Sequence, residues 1–207
     1  MKRIQSLDDK RKAFNVLTNA FKNSKGMTWM LRKPQSLRSR KHILNFFYSE
    51  ALARNGAFIT SDQNGVIFLH PQSKKTFSFR RLSQKLYIFL FITGMRNGIR
   101  SLQYQKLIRK VRPKSGWVAT LLACNSTESG IKTAFEIKQE IFELADRYNQ
   151  VIYAETTSFR ACQLYKIIGY ELYHSVKHPY ADLTIWFFRR NPKPYKQSSS
   201  LNQKNIA

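Results

Sequence analysis

The chain predicts an α/β (α+β) fold: a mixed central sheet, flanked by helices, with a parallel pair of strands near its middle. Three observations carry this. Two β-rich runs, Ala57 to Thr60 and Val66 to His70, flank the turn sequence Asp62-Gln63-Asn64-Gly65, the pattern of an antiparallel hairpin. Two further strand-length runs, Gly116 to Cys124 and Val151 to Thr156, are separated by a long amphipathic helix, the pattern of a parallel crossover. Helical and strand-like periodicities alternate elsewhere to give the order α-α-β-β-α-β-α-β-α-β-β. With a first strand near residues 1–5 counted, the parallel pair is β4-β5.

The elements follow from local chemistry. Residues 8–22 place Ala13, Phe14, Leu17, Ala20 and Phe21 on one helical face, and Asp8-Asp9 suit the positive end of its dipole. Gly26, the Trp29 to Leu31 cluster and Pro34 mark a loop. A second helix over about 39–54 turns Ile43, Leu44, Phe47, Ala51 and Leu52 inward and stops at Asn55-Gly56. Residues 78–112 are helical with a break near Gly94 to Gly98, and Pro113 ends them. The apolar run Leu86 to Ile92 is far short of the roughly 20 residues of a spanning helix. It reads as a core helix; Lys85 and Arg96 at its ends leave a surface-lying membrane helix open. A helix over 131–148 points Ile131, Ala134, Phe135, Ile141, Phe142 and Ala145 inward. A short helix over 159–168 and strands near 170–176 and 183–190 complete a single domain, 1–190, and residues 191–207 read as a polar, disordered tail.

The formal charge is +24 over 207 residues, and it is uneven. Residues 1–120 carry 25 Lys+Arg against 4 Asp+Glu, whereas residues 121–207 carry 11 against 8. Such a field attracts polyanions and phosphorylated small molecules. Two cysteines, Cys124 and Cys162, make no disulfide framework and read as reduced thiols in a cytoplasmic protein. The N-terminus has no apolar segment of signal-peptide type. Four scattered histidines and two distant cysteines lack metal-ligand spacing. His174 and His178 read as surface residues near the final strands.

The most specific motif is VIYAETTSFRACQLYKIIGY, residues 151–170: a strand carrying Glu155, a turn, and a helix ending in L-Y-x-x-x-G-Y. It resembles the end of the GNAT superfamily of acyl-CoA-dependent N-acyltransferases. The final run Leu183 to Arg190, LTIWFFRR, is similar to the family's closing strand. The resemblance implies acetyl-CoA as donor and an amine as acceptor. It implies that Tyr165 donates a proton to the departing thiolate. It implies that a backbone N–H near Leu121 or Leu122, with Ala123 beside them, faces the thioester carbonyl. Base candidates for the amine are Glu155, Glu50 and His70. The family's pyrophosphate loop, Q/R-x-x-G-x-G/A, falls on Thr127, Glu128, Ser129, Gly130, Ile131 and Lys132, with Thr133 following; only Gly130 matches. Ala161 stands where the family often has Asn, and Arg160 beside it can reach a phosphate.

Charge implies an anionic acceptor, small molecule or peptide, or a larger acidic partner. Two other readings stay open: a GNAT-like binding module without catalysis, and a basic nucleic-acid-binding protein. Nothing in the sequence demands an oligomer.

Overall fold

The computed structural model describes residues 1–72, 78–125 and 129–194. Its elements run β1 (Lys2–Arg3), α1 (Leu7–Ala20), α2 (Lys25–Thr28), α3 (Leu37–Ala53), β2 (Ala57–Ile59), β3 (Gly65–Pro71) and α4 (Phe79–Tyr87). A π-helical segment, Ile88–Thr93, joins α4 to α5 (Gly94–Val111). Then come β4 (Trp117–Cys124), α6 (Ser129–Arg147), β5 (Ile152–Thr156), α7 (Phe159–Ile167), β6 (Glu171–Lys177) and β7 (Thr184–Arg190).

The seven strands form one mixed sheet in the order β1-β2-β3-β4-β5-β7-β6. The β4–β5 pair is parallel and the other pairs are antiparallel. The expected fold class therefore holds. The first strand is present but only two residues long, and α2 occupies part of the stretch expected as loop.

Helices cover both faces. On one side α1 and α3 bury Ala13, Val16, Leu17, Ile43, Leu44 and Ala51 against Ile59, Val66, Phe68 and Ala123. On the other, α6 and α7 bury Ile137, Ile141, Ala145 and Cys162 against Ile67, Leu69, Ile152, Ala154 and Phe188. Helix α5 seats Ile108 on Ile185 and Phe187. Ser6 and Ser36 cap α1 and α3 by accepting from Asp9 N and Ser39 N at 3.0 and 3.1 Å, which satisfies donors the helices leave free.

Three packing expectations are corrected. In α6 the buried stripe is Ala134, Ile137, Ile141 and Ala145; Ile131 and Phe135 face outward. Ala20 and Leu52, expected inward, are exposed. The run 86–92 is not a core helix: Ile92 is buried, while Leu86, Leu90 and Phe91 are exposed. Its chain turns sharply at Gly94, whose φ of +72° favours glycine. A Cβ on Gly98 would sit 2.6 Å from the Phe89 ring, so glycine there lets α5 pack closely on the π-helical segment.

Candidate active site

The site begins where β4 and β5 part. Their ladder has three rungs, Trp117↔Ile152, Val118↔Tyr153 and Ala119↔Ala154. Strand β4 continues to Cys124 and β5 to Thr156, so both ends run on past the pairing. The parting coincides with a bulge. Phe68 pairs with Leu121 and Leu69 with Ala119, leaving Thr120 as the extra residue. A bulge bends the strand and re-aims its side chains and amides. Because β4 and β5 are parallel, α6 and α7 both start at this open end of the sheet. Helix starts carry unpaired N–H groups and partial positive charge.

On the α1/α3/α5 side of the sheet a polar cluster lines the opening. His70 of β3 is buried. Its Nδ1 lies 3.2 Å from the Pro71 carbonyl and its Nε2 2.9 Å from Thr120 Oγ1. A carbonyl only accepts, so we assign the proton to Nδ1 and the lone pair to Nε2, which accepts from Thr120. Arg54, just past α3, lies with Nη1 3.2 Å from both ring nitrogens. Burial, then the Arg54 charge, push the His70 pKa down to about 4. Glu50 accepts from Arg54 and from Arg81, each at 3.2 Å. The Arg54 Nε–H is buried with no hydrogen-bond partner.

Glu155 of β5 is held by Arg112, which follows α5; Nε donates to Oε2 at 3.2 Å and Nη2 donates to Oε1. Both carboxylate oxygens are thus engaged, the geometry of a fixed ion pair rather than of a free proton acceptor. Base action by Glu155 would require this pair to open.

Tyr165 comes from the α6/α7 side. It is 8% exposed and packs against Tyr170 and Phe188 with ring centroids 5.3 and 5.2 Å away. Burial first, then the charges of Glu155 and Cys124, push its pKa up to about 12. Those two neighbours lie on β5 and β4, so the phenol stands near the opening. Burial likewise pushes the Cys124 thiol up to about 11, which keeps it neutral and unreactive.

The cofactor-binding candidates divide. Leu121 and Leu122 are half-buried and Ala123 buried, all in β4 beyond the last rung. Ser129 and Gly130 open α6, with Ile131 and Lys132 exposed next to them. Arg160 is exposed and Ala161 half-buried in the first turn of α7, where Ala161 N donates to Ser158 Oγ at 3.3 Å. Thr133 is 1% exposed and donates to Asp62 Oδ2 at 3.0 Å, so its hydroxyl serves the β2–β3 hairpin. Thr127 and Glu128 lie outside the described residues. His178 is also corrected, being buried against Trp29 and Tyr104 at 4.4 and 4.7 Å between centroids. Thr120, Arg54 and Arg112 are site residues that sequence reading missed. Among the described residues no group of His, Cys, Asp or Glu suits a metal ion, and no helix is long and apolar enough to cross a membrane.

The His70 environment has a measurable consequence. Its folded pKa lies below the ordinary 6.5, so the unfolded state binds more protons between pH 6.5 and about 4. Stability from this residue is present above pH 6.5 and lost as pH falls through that window. Urea unfolding of wild type and His70→Gln across pH 4–7 is expected to show a shallower acid loss in the variant; parallel curves would refute the assignment.

No family model matches this sequence. No curated protein matches it either. Solved structures match its fold. Arylalkylamine N-acetyltransferase 2 from Aedes aegypti aligns with TM-score 0.62 at 15% identity, over 93% of this chain and 98% of that one. The polyamine N-acetyltransferase of Drosophila melanogaster, which forms N-acetylagmatine, aligns with TM-score 0.61 at 11% identity, over 91% and 98%. A Corynebacterium glutamicum protein described as histone acetyltransferase HPA2 and related acetyltransferase aligns with TM-score 0.59 at 16% identity, over 93% and 96%. At these identities the likeness carries the fold alone, and that fold is the GNAT fold.

Proposed function

We propose that this GNAT-fold chain is an N-acetyltransferase, moving an acetyl group from acetyl-CoA to an amine that also bears an acid group. The observation that carries the reading is the parted β4–β5 seam, with Tyr165 near it from one face and the His70–Thr120 and Arg112–Glu155 pairs lining it from the other.

The residues present fit acetyl-CoA. The β4 edge beyond Ala119 offers backbone groups to an extended amide-bearing chain. The starts of α6 and α7, with Lys132 and Arg160 exposed beside them, offer N–H groups and positive charge to phosphates. When bound, acetyl-CoA supplies an activated acetyl thioester. The residues then have separate tasks. Backbone N–H groups around Leu121 and Leu122, beside the Thr120 bulge, would face the carbonyl oxygen. Tyr165 Oη holds a proton throughout the neutral range. It would lend that proton as a hydrogen bond to the leaving sulfur, since full transfer from a phenol near 12 to a thiolate of ordinary pKa, about 8.5, is uphill; as the C–N bond forms and the C–S bond breaks, the proton lost by the amine nitrogen would pass to solvent.

The acceptor side selects charge. Arg54, Arg81 and Arg112 outnumber Glu50 and Glu155, and His70 is neutral. This excess disfavours an ammonium and favours the free amine that attacks. Arg54, whose side chain is 22% exposed, is the guanidinium we assign to a carboxylate or phosphate on the acceptor.

Calorimetric titration with acetyl-CoA, followed by a thiol-release screen, tests the reading. Saturable binding is expected, weakened about tenfold or more by Lys132→Glu with Arg160→Glu. Amino acids are expected to outrun their decarboxylated amines, and Arg54→Lys to raise the acceptor KM more than it lowers kcat. Absence of binding heat at high acetyl-CoA would overturn the donor assignment. Equal rates with both amine classes would overturn the acid-bearing acceptor.

A further inference from the structure

We infer that the corner formed by α4, the π-helical segment and α5 is a docking surface for an anionic lipid bilayer. The inference does not depend on the acetyl-transfer reading.

The surface is apolar where a solvated surface should not be. Leu82, Leu86, Leu90, Phe91, Met95 and Ile99 are all exposed, with Phe91 at 63% and Met95 at 65%. They follow one another along α4, the π-helical segment and the first turns of α5, on both sides of the Gly94 turn. Scattered apolar residues need no explanation, but a contiguous series marks a contact surface.

Charge identifies the occupant. From Gln63 to Thr127 the chain contains 12 Lys+Arg and no carboxylate. Arg80, Lys85, Arg96 and Lys106 are exposed on the helices that carry the apolar series. A helix with Leu and Phe on one side and Lys and Arg around it lies at the headgroup boundary, its apolar face about 5–10 Å deep. A second copy of this chain would bring like charges together, with no acid on these helices to offset them. A nucleic acid would meet the cations but gain nothing from exposed Leu and Met, which neither pair nor stack.

The turn itself provides a place for a headgroup. An open depression of about 460 Å³ lies there, lined by Arg32, Leu90, Met95, Arg96 and Asn97 among others. Arg32 and Arg96 supply two guanidinium groups, which suit a phosphate, beside two apolar side chains, which suit the adjoining acyl chain. Arg32 is fixed from behind by its N–H donating to the Ile92 carbonyl at 2.9 Å.

The test is co-sedimentation of the full chain with vesicles of phosphatidylcholine alone or mixed with phosphatidylglycerol, at low and physiological salt. Binding to the phosphatidylglycerol vesicles is expected, persisting in part at the higher salt. Leu86→Ser with Phe91→Ser is expected to weaken it about tenfold or more. Arg32→Gln with Arg96→Gln is expected to reduce the preference for the anionic lipid. These side chains face solvent, and unchanged thermal melts would establish that both variants fold. Phe91→Trp is expected to be quenched by brominated acyl chains. Absence of vesicle binding overturns the proposal. So does binding that the serine variant retains and salt abolishes, the behaviour of a general polyanion site. Self-association relieved by the serine variant overturns it as well, and assigns the face to a second copy.

Discussion

Tyr165→Phe is expected to lower kcat about 100-fold while leaving the KM for acetyl-CoA nearly unchanged. The substitution removes one oxygen and keeps the ring. The ring is structural: it packs with Tyr170 and Phe188 in the layer beneath α6 and α7. The oxygen is the part that feels the charges of Glu155 and Cys124, on the two strands that part at the β4–β5 opening. A loss confined to kcat assigns an interaction made during sulfur departure, whereas a ground-state contact would raise KM. Because the phenol pKa is pushed up to about 12, no decline in rate from Tyr165 ionisation is expected below about pH 10. Steady-state kinetics of the variant, with thiol release as readout, decide the matter. A kcat within about threefold of wild type would remove Tyr165 from the chemistry.

Asp146→Ala is expected to cost about 3–5 kcal/mol of stability, read from urea unfolding. Asp146 near the end of α6 holds Arg190 at the end of β7. Nη1 donates to Oδ1, Nη2 donates to Oδ2 at 2.6 Å, and the Lys193 N–H donates to Oδ1 at 2.6 Å. The Arg190 side chain is 5% exposed, and its guanidinium stands 4.5 Å from the Phe142 ring centroid. Removing the carboxylate strands a buried cation. Replacing both partners, Asp146→Leu with Arg190→Met, is expected to recover most of the loss, because neither charge is then desolvated. Hydrogen bonds from Arg190 hold the Asp146 carboxyl below the usual carboxylate range. The pair's stabilisation is therefore present above about pH 4 and lost as pH falls through the folded pKa. A loss below about 1 kcal/mol in the single variant would mean that water already reaches the guanidinium.

The strands, their succession along the chain and the parallel pair were legible because each rests on local pattern: hairpin chemistry at 62–65, apolar runs at 116–124 and 151–156, and the helix between them. Tyr165 and Glu155 fall in one continuous motif, which is why the sequence singles them out. The rest depends on partners distant in sequence. Arg112 and Glu155 stand 43 residues apart and Arg54 and His70 stand 16 apart, and no local period joins either pair. The Thr120 bulge leaves no mark in an apolar run. In α6 the stripes 131/135/142 and 134/137/141/145 are adjacent on the helix surface, and only the sheet beneath decides which is buried. The run 86–92 looks the same whether a core or a foreign surface receives it.

The three-rung β4–β5 ladder also bears on how the chain assembles. To its far side lies β5-β7-β6, built from residues within one short stretch, with β6 and β7 joined as a local hairpin. To its near side β3 must find β4 across the whole α4–α5 excursion, pairing Pro71 with Trp117 and Gly65 with Cys124. Closing that loop costs chain entropy before its contacts form. The C-terminal strands are therefore expected to acquire amide protection first in pulsed-exchange refolding. The β4–β5 seam follows across the shorter α6 connection, and the β3–β4 amides are protected last, as the step that joins two separately nucleated halves.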